Sequence, residues 1–186
     1  NYTLSATVSD GYLNDSKIFQ IIIHDVPEKD IDNDGINDSI DKLIGNEDSI
    51  NTSTINLTVF LDNSRNLSKL FNESKKIKFI DGNVAIVEFD FNFSLYKLNL
   101  KNLTVNKQTA NSTGSFFIRG LKMPEGATKT LHIDKINNTL NGICIKDDEI
   151  SSIDGVSNNC NLNNEFKVEC DGTLQNSYSC IYNSTL

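Results

Sequence analysis

Five aspartates between residues 30 and 41 have the types and the spacing of a calcium-binding loop. Gly35 stands at loop position 6, where it allows a sharp turn. So many carboxylates in one short loop repel one another unless a cation neutralises them. A solvated acidic linker is the alternative, but the glycine and the two later aspartates in register favour calcium. The predicted ligands are the carboxylates of Asp30, Asp32, Asp34, Asp38 and Asp41 and the backbone carbonyl of Ile36.

The residues that flank this loop indicate which kind of calcium loop it is. An EF-hand requires a helix on each side, but residues 19–26 alternate, are rich in Ile and are followed by Pro27. This pattern predicts a strand before the loop. The last ligand is Asp41 and not the longer Glu that grips calcium with both oxygens, so the sequence predicts a weak site suited to millimolar extracellular calcium.

The register D-x-D-x-D-G-I-x-D-x-x-D resembles a thrombospondin type 3 repeat. Repeats of that family are short, calcium-wrapped connectors between the domains of surface proteins. The resemblance covers about a dozen residues. It implies a structural role for the loop and no catalysis.

The chain is also unusually rich in N-x-S/T sequons, the acceptor motif for N-glycans. With 26 Asn and 31 Ser plus Thr in 186 residues, chance placement gives roughly four sequons. The observed excess predicts a heavily N-glycosylated, exported surface. Codon bias in a low-GC genome is the alternative. The twelve sequons begin at Asn1, Asn14, Asn37, Asn51, Asn56, Asn66, Asn72, Asn92, Asn102, Asn111, Asn137 and Asn183.

Length and charge limit the class of protein. A chain of 186 residues holds one ordinary domain plus fragments. It starts at Asn1 without a Met or a signal peptide, so we expect an excised piece of something longer. No apolar run approaches the roughly 18 residues that cross a bilayer. The net charge of -8 argues against a nucleic-acid partner.

The pattern divides the chain into three parts. Residues 1–26 alternate on both sides of Asp10-Gly11 and predict a hairpin, which resembles the last two strands of a cadherin-like or immunoglobulin-like module. Residues 27–50 form the calcium connector. Ile36, Ile40, Leu43 and Ile44 have helical spacing and precede Gly45, so one short helix is expected after the metal loop. Residues 51–186 form the third part, which we expect to be truncated at its C-terminal end.

Alternation with period two in the third part predicts half-buried antiparallel strands, and their spacing of about ten residues suggests a β-sandwich. The expected fold class is therefore all-β. A weak helical turn is expected at Asp147 to Ile153. Nothing in residues 55–186 requires the loop for a core, so the loop is expected to be a spacer. The predicted strands lie near residues 55–61, 77–80, 87–93, 98–105, 115–119, 128–134, 142–146, 165–170 and 177–182.

All four cysteines lie in the last 43 residues. In an exported chain such an even, local set predicts two disulfides, for which three connectivities exist. We favour Cys144–Cys160 and Cys170–Cys180, the second pair joining a hairpin of residues 165–170 and 177–182 across an Asp171-Gly172 turn. A zinc site is the alternative, but the spacing contains no C-x2-C knuckle.

The stretches Asn141–Ile150, Val168–Gly172 and Tyr178–Cys180 resemble a segment of large archaeal surface proteins of the S-layer type. Such proteins join cadherin-like or PKD-like modules, calcium connectors and a cysteine-bearing β region. The resemblance spans most of residues 27–186. It implies a cell-surface location and an architecture more than an activity.

Catalytic motifs are absent from the sequence. His24 and His132 have the pattern of strand-surface residues, and Asp147, Asp148 and Glu149 that of a solvated turn. Two functions therefore remain, both extracellular. The first is a non-catalytic, calcium-stiffened structural module whose partners are neighbouring modules of the same chain. The second is an adhesin that binds other surface proteins or glycans.

Overall fold

The N-terminal hairpin is the first element of the fold. The structure is a computed structural model, and it describes residues 2–9, 11–12, 14–21, 29–54, 56–108 and 114–182. Strand β1 (Tyr2–Ser9) runs antiparallel to β2 (Asn14–Ile21). The hairpin predicted for residues 1–26 is confirmed over these strands. Residues 22–26, including His24, lie outside the described residues.

A second group of strands builds the main body, which combines two sheets. Its strands, with those of a small separate pair, are β3 (Leu43–Ile44), β4 (Asn51–Thr52), β5 (Leu57–Leu61), β6 (Ser74–Asp81), β7 (Val84–Asn92), β8 (Leu98–Asn99), β9 (Thr104–Gln108), β10 (Ser115–Arg119) and β11 (Lys129–Leu131). Four strands pair antiparallel in the order β11–β7–β6–β5, and a smaller sheet has the order β10–β9–β4, with β4 parallel to β9. The separate pair is β3 with β8.

The inward faces of both sheets share one hydrophobic core. On β7 the predicted alternation places Phe89 and Phe91 inward, and a register shift between Phe79 and Ile80 of β6 leaves both Ile86 and Val87 buried. Residues of both sheets therefore belong to one buried cluster, and the all-β prediction is confirmed. The buried cluster contains Leu43, Ile50, Leu57, Val59, Leu61, Leu67, Phe71, Ile77, Phe79, Ile86, Val87, Phe89, Phe91, Phe93, Leu98, Leu100, Leu103, Val105 and Phe116.

The C-terminal part consists of two further hairpins. They are β12 (Gly142–Lys146) with β13 (Glu165–Glu169), and β14 (Asp171–Gln175) with β15 (Tyr178–Ile181). The predicted turn at Asp171-Gly172 is wrong, because these residues begin β14 and the chain reverses at Asn176 and Ser177, both of which have positive φ. The predicted pairing of residues 165–170 with 177–182 is replaced by β14 with β15.

Two predictions about helices differ from the structure. The short helix expected after the metal loop is wrong: residues 38–40 form a turn, and Leu43 and Ile44 form β3, which pairs in parallel with β8. Both side chains are buried, and a strand that is buried on both faces shows an apolar run that is also compatible with a helix. The turn expected near residues 147–153 is a 3-10 turn at Ile153–Gly155. Two other 3-10 turns are Glu47–Ser49 and Leu100–Asn102.

The segment after the metal loop contributes to the core of the main body. Leu43 and Ile50 belong to the same buried cluster as the phenylalanines of β7. The core of the main body therefore includes residues of the connector predicted for residues 27–50, although the buried cluster contains no residue of the metal loop itself. The sequence pattern missed this because β3 and β4 are only two residues long and pair with strands that lie about 50 residues further along the chain.

Candidate metal centre

Backbone hydrogen bonds close the acidic loop on itself. The Asp38 N–H donates to the carbonyl oxygen of Lys29 over 2.8 Å, and the Ile31 N–H donates to Oδ1 of Asp38 over 3.0 Å. Between them the chain turns sharply at Asn33 and Gly35, whose φ angles are 56° and 89°. Glycine accepts this left-handed conformation without strain and asparagine tolerates it, which explains both residue types here.

This turn brings three carboxylates together. Oxygens of Asp30, Asp32 and Asp34 lie within 4.8 Å of one another. One oxygen of each accepts a backbone hydrogen bond: Asp30 Oδ2 from Gly35 over 3.0 Å, Asp34 Oδ1 from Ile36 over 2.8 Å, and Asp32 Oδ2 from Gly45. The second oxygens of Asp30 and Asp32 are buried and have no hydrogen-bond partner. Two acceptors in this cluster are therefore free for a ligand.

Asp41 is the second independent feature of this site. Its exposed fraction is 0%, so it is one of the few polar residues in the described core. Oδ1 accepts a hydrogen bond from the Leu43 N–H over 2.9 Å, but the buried Oδ2 has no partner. A buried carboxylate oxygen without a donor is unfavourable, and a bound cation is one way to compensate it.

Burial, neighbouring charges and hydrogen bonds shift the pKa of three aspartates of the loop. Burial raises the pKa of Asp41, and the charges of Asp34 and Asp32 raise it further, against the hydrogen bond from Leu43. Burial likewise raises the pKa of Asp34, with contributions from Asp32, Asp30 and Asp38. The pKa of Asp30 is lowered, because hydrogen bonds from Gly35 and its neighbours outweigh the effect of burial. Burial and the neighbouring carboxylates therefore oppose ionisation at Asp34 and Asp41.

The loop is attached to the main body by backbone pairing and by two lysines. The Leu98 N–H at the start of β8 donates to the Lys42 carbonyl over 2.8 Å. Lys97 Nζ donates to the carbonyl oxygen of Asp38 over 2.6 Å, and Lys101 Nζ to that of Ile31 over 3.2 Å. Both ammonium groups bind backbone carbonyls. They bring positive charge to the loop while the free oxygens of Asp30 and Asp32 remain available.

Gly45 fixes the point where the loop segment meets the body. Its N–H donates to Asp32, and its φ of 93° lies in the left-handed region. A Cβ added at this residue would lie 3.0 Å from Cγ of Lys101 and 3.0 Å from Oγ of Ser49. Glycine is therefore required for both conformation and space.

The structure brings the predicted ligands together to different degrees. Asp30, Asp32 and Asp34 form the cluster, and the charge of Asp41 acts on it. Asp38 uses Oδ1 to hold the Ile31 N–H, and Ile36 donates its N–H to Asp34. The sequence pattern did not predict that Lys97 and Lys101 attach the loop to the main body. Each lysine lies 59 or 70 residues from the carbonyl it binds, and an isolated lysine gives no local signal.

The cysteines form both predicted disulfides, Cys144–Cys160 and Cys170–Cys180. Since no cysteine of the chain is free, the zinc alternative has no thiolate ligands. Beside the first disulfide, the buried carboxylate of Glu165 accepts hydrogen bonds from the N–H and Oγ of Ser157 and from the Leu162 N–H. These hydrogen bonds and the positive charge of Lys146 lower the pKa of Glu165 to about 2. Glu165 thus organises the loop that carries Cys160.

The other candidate groups have protein partners. Asp147 accepts a hydrogen bond from the Tyr178 hydroxyl over 2.6 Å, and Glu149 accepts one from the Gly120 N–H over 3.0 Å. Asp148 accepts bonds from the side-chain amide of Asn164. His132 lies 3.2 Å from Glu88 on the neighbouring strand. The acidic turn is exposed, as predicted, and each of its carboxylates has a structural partner.

Four sequons have a middle residue that is buried in the core and an acceptor asparagine that is exposed or half-buried. In the two that lie at β5 and β7, strand alternation separates the buried residue from the acceptor. Leu67 lies in a loop and Leu103 follows a 3-10 turn, so alternation does not explain the other two. The four sequons are Asn56-Leu57-Thr58, Asn66-Leu67-Ser68, Asn92-Phe93-Ser94 and Asn102-Leu103-Thr104.

Comparison with known proteins gives no relatives: no family model, no curated protein and no solved structure matches this chain. The function must therefore be argued from the site itself. The two disulfides are typical of proteins that fold in an oxidising compartment, and they point to a secreted or extracellular protein. Within the described ranges, no helix is long and apolar enough to cross a membrane.

Proposed function

We propose that this chain is a non-catalytic structural module of a glycosylated cell-surface protein, and that one calcium ion bound by the acidic loop stiffens it. The observation that carries the proposal is the set of three buried, unpartnered oxygens on Asp30, Asp32 and Asp41. The ion would be held by these oxygens with Asp34, and by Asp38 and the Ile36 carbonyl if the loop adjusts on binding.

The chemistry of the donor set favours calcium over other ions. Every candidate ligand is an oxygen, whereas zinc prefers the nitrogen and sulfur of His and Cys. Magnesium demands a near-ideal octahedron and retains several waters, while calcium accepts six to eight oxygens in a flexible loop. Carboxylates that are already oriented by backbone N–H groups suit the larger ion. Asp41 in place of Glu favours the weak affinity typical of extracellular modules.

The attachment of the loop supports a mechanical role for the ion. Asp32 accepts the Gly45 N–H, Asp41 accepts the Leu43 N–H, and Leu43 lies in the core. An ion that draws these carboxylates together would therefore fix β3 against β8 as well as fix the loop. It would act on the main body and on the position of the chain that precedes Lys29.

The glycosylation part of the proposal is supported by the sequons. Asn56, Asn66 and Asn102 have exposed side chains beside buried neighbours, which is the arrangement that an attached glycan requires. In a protein that folds in an oxidising compartment, such acceptors meet the conditions for modification. A carbohydrate coat over a disulfide-bonded β body is a property of surface modules.

Calorimetric titration of calcium tests the metal site. We expect heat of binding for the natural chain and for Asp48→Asn, which removes an exposed carboxylate outside the loop, and none for Asp34→Asn. Calcium should also slow proteolysis near Lys29, because the Asp38–Lys29 contact closes the loop. Absence of binding heat in the natural chain, with equal cleavage rates in calcium and in chelator, refutes the proposed site.

A further inference from the structure

The end of β7 carries a sequon beside two exposed apolar side chains. The sequon is Asn92-Phe93-Ser94, and Asn92 is the last residue of β7. The next two residues along the chain are Leu95, with an exposed fraction of 68%, and Tyr96, with one of 44%. The sequence thus places a glycan-acceptor motif and two exposed apolar groups within five residues of one another.

Hydrogen bonds close a tight turn that also brings these residues together in space. The carbonyl oxygen of Asn92 accepts the N–H of Leu95 over 3.3 Å and the N–H of Tyr96 over 3.0 Å. Bonds from the third and fourth following residues make one turn of helix-like backbone, and residues with this spacing are neighbours on one side of such a turn. Leu95 and Tyr96 therefore lie beside the acceptor asparagine.

The acceptor and the aromatic ring are both held in position by other contacts. Asn92 is half-buried, and its Oδ1 accepts hydrogen bonds from the N–H and the hydroxyl of Ser94. The Tyr96 ring lies 6.3 Å from the buried ring of Phe91, at an angle of 63° to it. One part of the Tyr96 ring is thus anchored to the core while another part meets solvent. A sugar that binds here orders few additional groups, which reduces the entropic cost of the contact.

The exposed groups have the chemistry that packs against a pyranose ring. One face of such a sugar presents C–H groups with partial positive charge, and the face of an aromatic ring is negative. The side chain of Leu95 extends the apolar contact beyond the ring. A sugar attached to Asn92 is therefore a ligand of suitable chemistry, and the sequon itself supplies it.

We propose that Asn92 is a glycosylation site whose first sugar packs on Tyr96 and Leu95. The proposal rests on the proposed function, because it requires that the chain is N-glycosylated. Attachment joins Nδ2 of Asn92 to the anomeric carbon of a sugar that a phosphate-activated carrier supplies; the carrier phosphate leaves and the amide loses one proton. The sugar then covers the exposed ring and stabilises the turn that ends β7. At this site the glycan is part of the packing of the sheet.

A double-mutant cycle of Asn92→Gln and Tyr96→Ala tests the packing. The four proteins are made with N-glycans in a secreting host, and without them in the periplasm of a bacterium that lacks the pathway. With glycans, Asn92→Gln should lower the melting temperature by about 1–6 °C more when Tyr96 is present than in the Tyr96→Ala background. Without glycans the two losses should be equal, because Asn92→Gln then changes only the hydrogen bonds to Ser94.

The matched control is Asn56→Gln, which removes an exposed acceptor at the other end of the sheet, where the Asn56 carbonyl accepts the Gly82 N–H between β6 and β7. Its effect on the melting temperature should not depend on Tyr96. In the natural glycosylated chain, nuclear Overhauser contacts between Tyr96 ring protons and sugar C–H protons test the packing without any substitution.

Two kinds of failure are distinguished by mass mapping of the glycosylated peptides. The inference is overturned, while glycosylation stands, if other sequons carry sugar and Asn92 does not. The same holds if Asn92 carries sugar but shows neither coupling nor contacts to Tyr96, or if the coupling is equally large without glycans. If no sequon of the secreted chain carries sugar, the glycosylation part of the proposed function fails as well.

Discussion

Replacing Asp41 by asparagine should have opposite effects with and without calcium. The new side chain keeps an oxygen that can accept the Leu43 N–H, which now bonds Oδ1 of Asp41 over 2.9 Å. The substitution removes a buried charge that has no partner on Oδ2 and that is repelled by Asp34 and Asp32. Without calcium this relief should stabilise the fold. With calcium the variant lacks one carboxylate ligand, so it should gain little from the ion.

The burial of Asp41 sets the size of the effect without calcium, and the mass action of calcium binding sets the size of the effect with it. A buried group without a partner costs about 1–3 kcal/mol when neutral and more when charged, so Asp41→Asn, which removes the charge but keeps a polar atom there, should raise the unfolding free energy by about 1 kcal/mol in chelator. A site with a Kd of about 0.1–1 mM contributes about 1.4–2.7 kcal/mol at 10 mM calcium. For a chain of this size, about 2–4 °C accompanies each kcal/mol. The natural chain should then gain about 3–10 °C from calcium.

Thermal unfolding at pH 7 in chelator and in 10 mM calcium measures both effects. We expect the variant to melt above the natural chain in chelator and to show little calcium response. Asp48→Asn, which changes an exposed carboxylate outside the loop, should follow the natural chain in both conditions. The reasoning is refuted if Asp41→Asn melts below the natural chain in chelator and gains as much from calcium.

Three further predictions concern the body of the protein. Replacing Cys170 and Cys180 by serine should lower stability by about 3 kcal/mol, since the bond closes a short loop; denaturant unfolding measures the difference, and an unchanged midpoint contradicts it. The pKa of Glu165 is lowered from 4.5 to about 2, so its contribution is present above pH 4.5 and is lost as the pH falls toward 2. Acid unfolding of Glu165→Gln, followed by circular dichroism, should show a weaker pH dependence over that window, and an identical profile counts against this role. Gly45→Ala should lower the melting temperature more than Gly35→Ala: both glycines have φ near 90°, but only at Gly45 would the new Cβ meet side chains at 3.0 Å. Equal losses would show that crowding at Gly45 has no effect.

The local sequence pattern predicted the structure correctly where the interacting residues lie close together in the sequence. Alternation predicted the buried faces of β5 and β7, and cysteine spacing predicted both disulfides. The aspartates at alternate positions of the loop predicted the cluster of Asp30, Asp32 and Asp34. In each case the interacting residues are near neighbours or share one regular element.

Prediction failed where distant partners decide the local structure. Leu43 and Ile44 have helical spacing, but pairing with β8 and burial on both faces make them a strand. Asp171-Gly172 has the composition of a turn, but the chain reverses at Asn176 and Ser177, which both have positive φ. The lysines that hold the metal loop depend on contacts across 59 and 70 residues, which no local pattern encodes.

The sequons with buried middle residues have a consequence for strand register. In Asn56-Leu57-Thr58 and Asn92-Phe93-Ser94, one three-residue unit specifies both an inward core residue and an outward acceptor. A slip of one residue would exchange these faces and move Leu57 or Phe93 into water. With a glycan on the asparagine, the slipped state would also have to bury a sugar. The carbohydrate would then disfavour misregistered sheets during folding, even though such sheets differ little from the native one in backbone hydrogen bonding.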